Sequence, residues 1–316
     1  MKILIVCSGN APNFEFEKHQ AFIYDQVEAI KKVDVTISFD YFFINQKGIK
    51  GYLSCLKNLR TKISKNSYQC VHAHFVMSSL LANLQRKAPV ITTFHGSDIN
   101  LKWHRWVSMV VALMSKKVIY VSQQIWNKSV LQLREKTEII PCGIDFWLFT
   151  PYNKQEAKKI MGLLPDRKYV LFSSNFGNKV KNPELAQKAI AALANSTVVL
   201  LELKNYTRTE VALLMNATDV ALMTSFSEGS PQFIKEALAC NRPVISTDVG
   251  DVRSIIENVE GCYISTYDPQ DVAQKLKQAL QIAPTFQSRH KIQNFDNQLI
   301  ASQVINIYKN IQSSSI

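Results

Sequence analysis

The chain has 316 residues, 47% hydrophobic and 20% charged, enough for a packed core and, at about 150 residues per domain, for two domains. No run approaches the ~18 to 20 apolar residues that span a bilayer, and six scattered cysteines without a C-x-x-C exclude a disulfide scaffold and point to a reduced, cytosolic protein. The net charge of +12 is uneven, with 19 Lys+Arg against 10 Asp+Glu in residues 1–150 and 18 against 15 in residues 151–316, so the first half carries a field suited to an anionic partner.

The opening MKILIVCSGN holds a short apolar run that leads into a loop and a charged helical pattern, so it reads as a first strand and not as a cleaved leader. Further β-rich runs are VDVTISF (33–39), CVHAHF (70–75), PVITTF (89–94), KVIYVS (117–122) and TEIIP (137–141). Segments of 3.6-residue periodicity separate them. A second series follows with KYVLFSS (168–174), STVVLLEL (196–203), DVALMTS (219–225), RPVISTD (242–248) and CYIST (262–266). Strand–helix alternation of this kind predicts parallel sheets covered on both faces. The proline and polar residues of FTPYNKQEA (149–157) mark the break, giving domains over 1–150 and 151–316. Ligands in such folds bind beyond the carboxyl ends of the strands.

The loop CSGNAPNF has only Gly9 and lacks both G-x-G-x-x-G and a Walker pattern, which excludes nicotinamide and ATP-loop readings. Gly9 and Asn10 would let a phosphate or an acceptor approach the backbone. Residues 47–65 carry Lys47, Lys50, Lys57, Arg60, Lys62 and Lys65, with Tyr52, Leu53, Leu56, Leu59 and Ile63 at helical spacing on another face. That pattern fits an amphipathic helix on an anionic membrane and equally a core-facing helix with a solvated charged side. Trp103 and Trp106 add aromatics suited to an interface. His72 and His74 share one face of a strand, but no acidic or cysteine cluster accompanies them, so no metal site is expected. His95 follows the strand VITTF; alone it fits a structural hydrogen-bonder as well as a working group, and Asp98 is read as orienting its loop.

Glu228 and Glu236 in SEGSPQFIKEALAC are the sharpest feature of the second half. Ser230 is the expected N-cap and Pro231 the first helical residue, so Gly229, Ser230 and the amides of Gln232 and Phe233 form a helix N-terminus open to an anion. A carboxylate beside a phosphate repels it unless it accepts hydrogen bonds from elsewhere on the ligand. Phosphates flanked by hydroxyl-rich groups meet that need, as in a nucleotide sugar. By spacing alone the pair also fits a solvated loop glutamate and a polar-face one. The second loop, ISTDVGDVRSII, is expected to bring Gly250 and Asp251 beside the first.

The stretch TSFSEGSPQFIKEALACNRPVISTDVGDV resembles the donor-binding segment of glycosyltransferase family 4, the retaining GT-B enzymes. VHAHF, VITTFHGSD, YVSQQIWNKSV, IIPCGIDFWLFTP and LMNATDVALMTS extend the resemblance along nearly the whole chain. It implies an α/β GT-B fold, two Rossmann-like doubly wound domains facing across a cleft, with acceptor on the first, donor on the second and the last helix crossing back. It places Glu228 on the donor sugar, Glu236 on the ribose and His95 near the transferred sugar. The family's phosphate-binding arginine falls at Asn175 and its lysine at Lys181, with Lys179 an extra cation. The activity implied is metal- and cofactor-independent hexosyl transfer from a nucleotide sugar to a saccharide or lipid-linked acceptor. The resemblance suggests cell-surface polysaccharide or glycolipid synthesis, and the basic first half would let a cytoplasmic protein dock peripherally at the inner face of the cytoplasmic membrane. The alternative, favoured by the missing arginine, is a non-catalytic partner subunit that binds nucleotide sugar. A glycoside hydrolase built on the two carboxylates explains less, and basic clusters without a recognition motif do not make a nucleic-acid binder.

Overall fold

A computed structural model describes residues 1–96, 99, 102–282 and 286–313. Asp98 lies outside them. The first sheet contains β1 (Lys2–Ser8), β2 (Ser38–Ile44), β3 (Cys70–His74), β4 (Val90–Phe94), β5 (Lys117–Tyr120) and β6 (Thr137–Ile139), in the order β2-β1-β3-β4-β5-β6. The second contains β7 (Lys168–Phe172), β8 (Val198–Glu202), β9 (Val220–Met223), β10 (Val244–Thr247) and β11 (Tyr263–Ser265), in the order β11-β10-β9-β7-β8. Every pairing is parallel. Strands β3, β4, β9 and β10 are buried along their whole length, as parallel strands covered on both faces are, and they take His72, His74 and several hydroxyl side chains into the interior with them.

One strand is displaced from its expected place. The helix Ala21–Val33 absorbs the start of VDVTISF, and Val35 is 87% exposed in the turn that follows. Strand β2 therefore begins at Ser38 and uses the aromatic run that follows to pair with β1. Being an edge strand, its mixed polar and aromatic residues give no clean period. The pattern over 47–65 also differs from a single helix: it divides at Cys55 into Gly48–Ser54 and Leu56–Ser64. Leu59 and Ile63 belong to the core, with Tyr52 and Leu56 packed against it, leaving Ile49 and Leu53 exposed.

The chain forms two compact units, Met1–Gly143 with Asn297–Ile316, and Ile144–Asp296. The last helix, Asn297–Ser313, packs on Ala21–Val33, and Ile300, Val304 and Tyr308 join Ile23, Val27 and Ile30 in the first unit's core. Both sheets share one winding: the first strand pairs with the second on one side and the third on the other. The strand order thus reverses between β1 and β3, and again between β7 and β9. At these points the loops leaving the carboxyl ends diverge to opposite faces and open a crevice for a ligand.

Candidate active site

In the second unit the crevice is bounded by the loops after β7 and β9. After β7, Gly177 N donates to Asn175 Oδ1 at 3.0 Å and Phe176 N donates to Glu202 Oε2 at 2.8 Å. The Asn175 side chain is thus spent on its own turn. A 3-10 turn, Lys179–Lys181, follows, with Asn178 accepting from Val180 N. Thr224 Oγ1 donates toward the carbonyls of Lys181 (3.0 Å) and Asn182 (2.8 Å), and Phe226 N donates to Val180 O at 2.9 Å, so the two loops are stitched together by their backbones. Across this seam Lys181 Nζ meets Glu228 Oε1 at 2.5 Å, and Ser225 Oγ donates to the same oxygen at 2.6 Å. Lys179 is exposed and forms no ion pair among the described residues.

The loop after β10 closes the other side. Thr247 Oγ1 donates to Ser225 O at 2.7 Å. Gly250, at φ +58°, approaches so closely that a Cβ there would stand 2.6 Å from Gly229 O. Gly250 and Asp251 do come beside the first loop, and burial pushes the Asp251 carboxyl above its ordinary pKa.

The helix begins later than expected. It spans Gln232–Ala239, with Pro231 at the N-cap (φ −70°, ψ 119°) and no side-chain cap. Ser230 is therefore not the N-cap: the proline's extended ψ moves the first turn one residue on. The N–H groups of Gln232 and Phe233 still lie in that turn, where no helical acceptor exists. Phe233's side chain packs into the core, so only its backbone can serve a ligand.

Glu236 is almost completely buried, and Arg208 Nη1 donates to its Oε1 at 2.7 Å. The guanidinium lies over the Phe149 ring, 4.9 Å from its centroid. Sequence reasoning did not find Arg208. A signal was present, because Thr207 and Glu210 form a capping box that puts the arginine in the first turn, where a cation opposes the helix dipole. Each glutamate of the pair thus has its own cation from a different element.

In the first unit His95 follows β4, and Gly9 and Asn10 follow β1. Gly9 is buried and its N–H donates to Ile44 O at 3.0 Å; a Cβ there would fall 2.7 Å from Phe43 Cβ, so packing against β2 already requires this glycine. Asn10 Nδ2 donates to Gln46 O at 3.4 Å. Neither points to a ligand by its own contacts.

His95 ends a chain of histidines whose other members, His72 and His74, are fully buried. His72 bonds Tyr308 through Nδ1 and Thr93 through Nε2, both at 2.7 Å. His74 Nδ1 lies 3.0 Å from His95 Nε2, and His95 Nδ1 lies 3.8 Å from Cys142 Sγ. Burial, then the neighbouring His72, pushes the His95 pKa down to about 3; burial takes His72 to about 3 and His74 well below the ordinary value. All three are neutral at physiological pH. His74 Nε2 is buried without a partner, and a buried N–H is left unpaired less readily than a buried lone pair. The proton therefore belongs on His74 Nδ1, which donates to His95 Nε2, and His95 carries its own proton on Nδ1. Beside it Phe75 is held at φ +68°, its ring 4.7 Å from that of His95, backbone strain of the kind that collects at functional sites. If Nδ1 is the working atom, His95→Asn, whose amide nitrogen stands near that position, should retain several-fold more turnover than His95→Gln. The reverse order would assign the work to Nε2.

Among the described residues no group of His, Cys, Asp or Glu stands in metal-ligating geometry. A cavity of about 300 Å³ lined by Lys154, Asp219 and Arg242 lies at the amino ends of β9 and β10, the opposite end from the switch-point loops.

Two Rossmann-like parallel-sheet units with their loops so arranged define the GT-B class of fold. Solved structures agree: sucrose-phosphate synthase (tll1590) from Thermosynechococcus elongatus superposes with a TM-score of 0.83 at 15% identity, covering 99% of both chains. Anabaena Alr3699/HepE, in a complex with UDP and glucose, superposes at 0.73 and 17% identity over 98% of this chain and 100% of that one. At such identities the likeness speaks for the fold alone. The chain belongs to the family 4, group 1 glycosyltransferases: the Glycosyltransferase Family 4 model matches residues 2–147 and the Glycosyl transferases group 1 model residues 175–281. A relative, the putative teichuronic acid biosynthesis glycosyltransferase TuaC of Bacillus subtilis (strain 168), is 26% identical over 249 residues, 69% of this chain and 63% of the relative. The match thus spans less than two thirds of that relative's length.

Proposed function

We propose that the protein is a retaining glycosyltransferase that moves a hexose from a nucleotide sugar to a saccharide or lipid-linked acceptor, without a metal, in cell-surface polysaccharide synthesis. The observation that carries the reading is the Lys181–Glu228 pair at the β7/β9 switch point, 2.5 Å apart and two-pronged through Ser225. A lone carboxylate there would repel a diphosphate; a carboxylate already held by a lysine can face the sugar while the ammonium is shared with the leaving phosphate. Lys179 and the first-turn amides of Gln232–Ala239 add to that preorganised positive field, which stabilises charge as it develops. Glu236 takes the ribose and His95 the transferred sugar. The donor phosphate would receive the acceptor's proton. A relative named for teichuronic acid biosynthesis and a fold neighbour crystallised with UDP and glucose support the substrate class.

The test is slow donor hydrolysis across UDP-, GDP-, ADP- and TDP-sugars, with Glu228→Ala alongside. Release of one nucleotide, lost in the variant, supports transfer chemistry. Silence with no donor-induced thermal shift would overturn the donor reading altogether. A second reading, a non-catalytic nucleotide-sugar-binding subunit, is favoured by Asn175 being tied into its own turn; a donor-induced thermal shift without turnover, with or without acceptor, would select it.

The acceptor half is also proposed to rest on an anionic membrane. No helix among the described residues is long and apolar enough to cross one, but in the helix Lys102–Met114 the side chains of Trp103 (50%), Trp106 (63%), Val110 (43%) and Leu113 (50%) are exposed at helical spacing, and nearby residues are basic. Interfacial tryptophans beside cations bind such surfaces. The protein should sediment with phosphatidylglycerol vesicles at low salt and not with phosphatidylcholine; Trp103→Ser with Trp106→Ser should release it. Failure of the wild type to sediment would end this part of the reading.

A further inference from the structure

We infer that Arg208 is a positioning residue that makes Glu236 a reader of the ribose, so that the preference for a ribonucleotide over its 2′-deoxy form depends on an arginine outside the E-x7-E motif. The inference rests on the nucleotide-sugar reading above.

Three observations carry it. Arg208 is the first residue of the helix Arg208–Ala217, held there by the Thr207–Glu210 capping box. A cation at that end opposes the helix dipole, so helix stability does not account for it. Its guanidinium lies over the Phe149 ring at 4.9 Å and on Glu236 Oε1 at 2.7 Å. Phe149 is itself fully buried, and Arg289 donates to its carbonyl, so the platform under the guanidinium is rigid. The Glu236 side chain is 4% exposed and that of Arg208 is 19% exposed, which makes the pair one shielded unit at the edge of the crevice.

The consequence is geometric. One carboxylate oxygen is committed to the arginine, and the carboxylate plane is thereby set. The other oxygen, Oε2, accepts no bond from the described side chains that would compete with a ligand. A carboxylate fixed in this way offers one acceptor in one direction, which suits a hydroxyl donor and discriminates against a ligand lacking it, because the acceptor is then left unpaired. Without the arginine, Glu236 would turn within its pocket and the direction would be lost. Arg208 touches the ligand only through Glu236 in this account.

The experiment is calorimetric titration of the full chain with UDP, GDP and ADP and with their 2′-deoxy forms, for the wild type, Arg208→Gln, Arg208→Lys and Glu236→Gln. The wild type should prefer its ribonucleotide by about tenfold or more, the worth of one hydrogen bond to a charged group. Arg208→Gln should bind both forms with a ratio near one, as should Glu236→Gln, and Arg208→Lys should restore part of the preference. A merely structural arginine would weaken both nucleotides and leave their ratio unchanged, and that result overturns the inference. A wild type that binds nucleotide without preferring ribose overturns it too, while leaving the donor reading intact. A wild type that binds no nucleoside diphosphate overturns the donor reading, and the inference with it.

Discussion

Glu228→Ala is expected to lower donor turnover by about two to three orders of magnitude, the usual effect of removing one preorganised electrostatic contact, while leaving the fold intact. The carboxylate is a junction of three elements: it accepts from Lys181 in the loop after β7 and from Ser225 at the end of β9, while Ser225 O accepts from Thr247 of β10. Its removal frees the lysine to collapse onto the diphosphate, so nucleotide binding should survive better than turnover. The loss should therefore appear mainly in kcat. Glu228→Gln should keep the Ser225 contact and recover part of the rate. Lys181→Met should lose both binding and turnover, and the double variant should cost less than the sum of the two, because the residues act as a unit. Steady-state kinetics of the four proteins on the donor found in the panel decides this. Turnover within threefold of wild type in Glu228→Ala would remove Glu228 from the site.

Gly250→Ala should be almost as damaging, for a different reason. Alanine at φ +58° costs on the order of 1 kcal/mol in backbone strain, and its Cβ would stand 2.6 Å from Gly229 O and 3.2 Å from the Glu228 carbonyl carbon. Those are backbone atoms and cannot rotate away. The Glu228–Gly229 segment would have to shift, carrying the carboxylate off Lys181. Gly162 supplies the control, since it has a similar φ of +66° with nothing within 4 Å of its would-be Cβ. Gly162→Ala should cost about 1 kcal/mol of stability and no turnover. Gly250→Ala should cost that and about a hundredfold in turnover as well. Equal turnover in the two variants, measured with thermal unfolding on the same samples, would show that contact with Gly229 does not matter.

The strands were readable because parallel strands buried on both faces are largely apolar, and short runs rich in β-branched, aromatic and aliphatic residues, such as PVITTF and KYVLFSS, fit such strands. Strand β2 was the exception. At the sheet edge Ser38–Ile44 is only partly covered, so no burial period marks it, and the apolar residues of 33–37 belong instead to a helix end and a turn. Over 47–65 the helical spacing was legible but the partner of its apolar face was not: Leu59 and Ile63 face the unit's own core. Periodicity reports that a face is buried and says nothing about what covers it.

The sequence by itself determined the doubly wound organisation, the loops that bound the second switch point, and the glutamate pair, one in such a loop and one on the helix that follows it. These are local matters, set by the period of apolar residues, by turn chemistry and by residues within a few positions of one another. Only the tertiary structure decided what holds each glutamate. Lys181 and Glu228 are 47 residues apart, and Arg208 and Glu236 28 apart, each pair on separate strand–helix units. Tertiary structure alone also set the tautomer of His95, through a contact 21 residues away to a histidine whose other nitrogen is buried without a partner. Ion pairs and hydrogen bonds between elements depend on how the sheet orders its strands, and nothing in the spacing of residues along one element records that order.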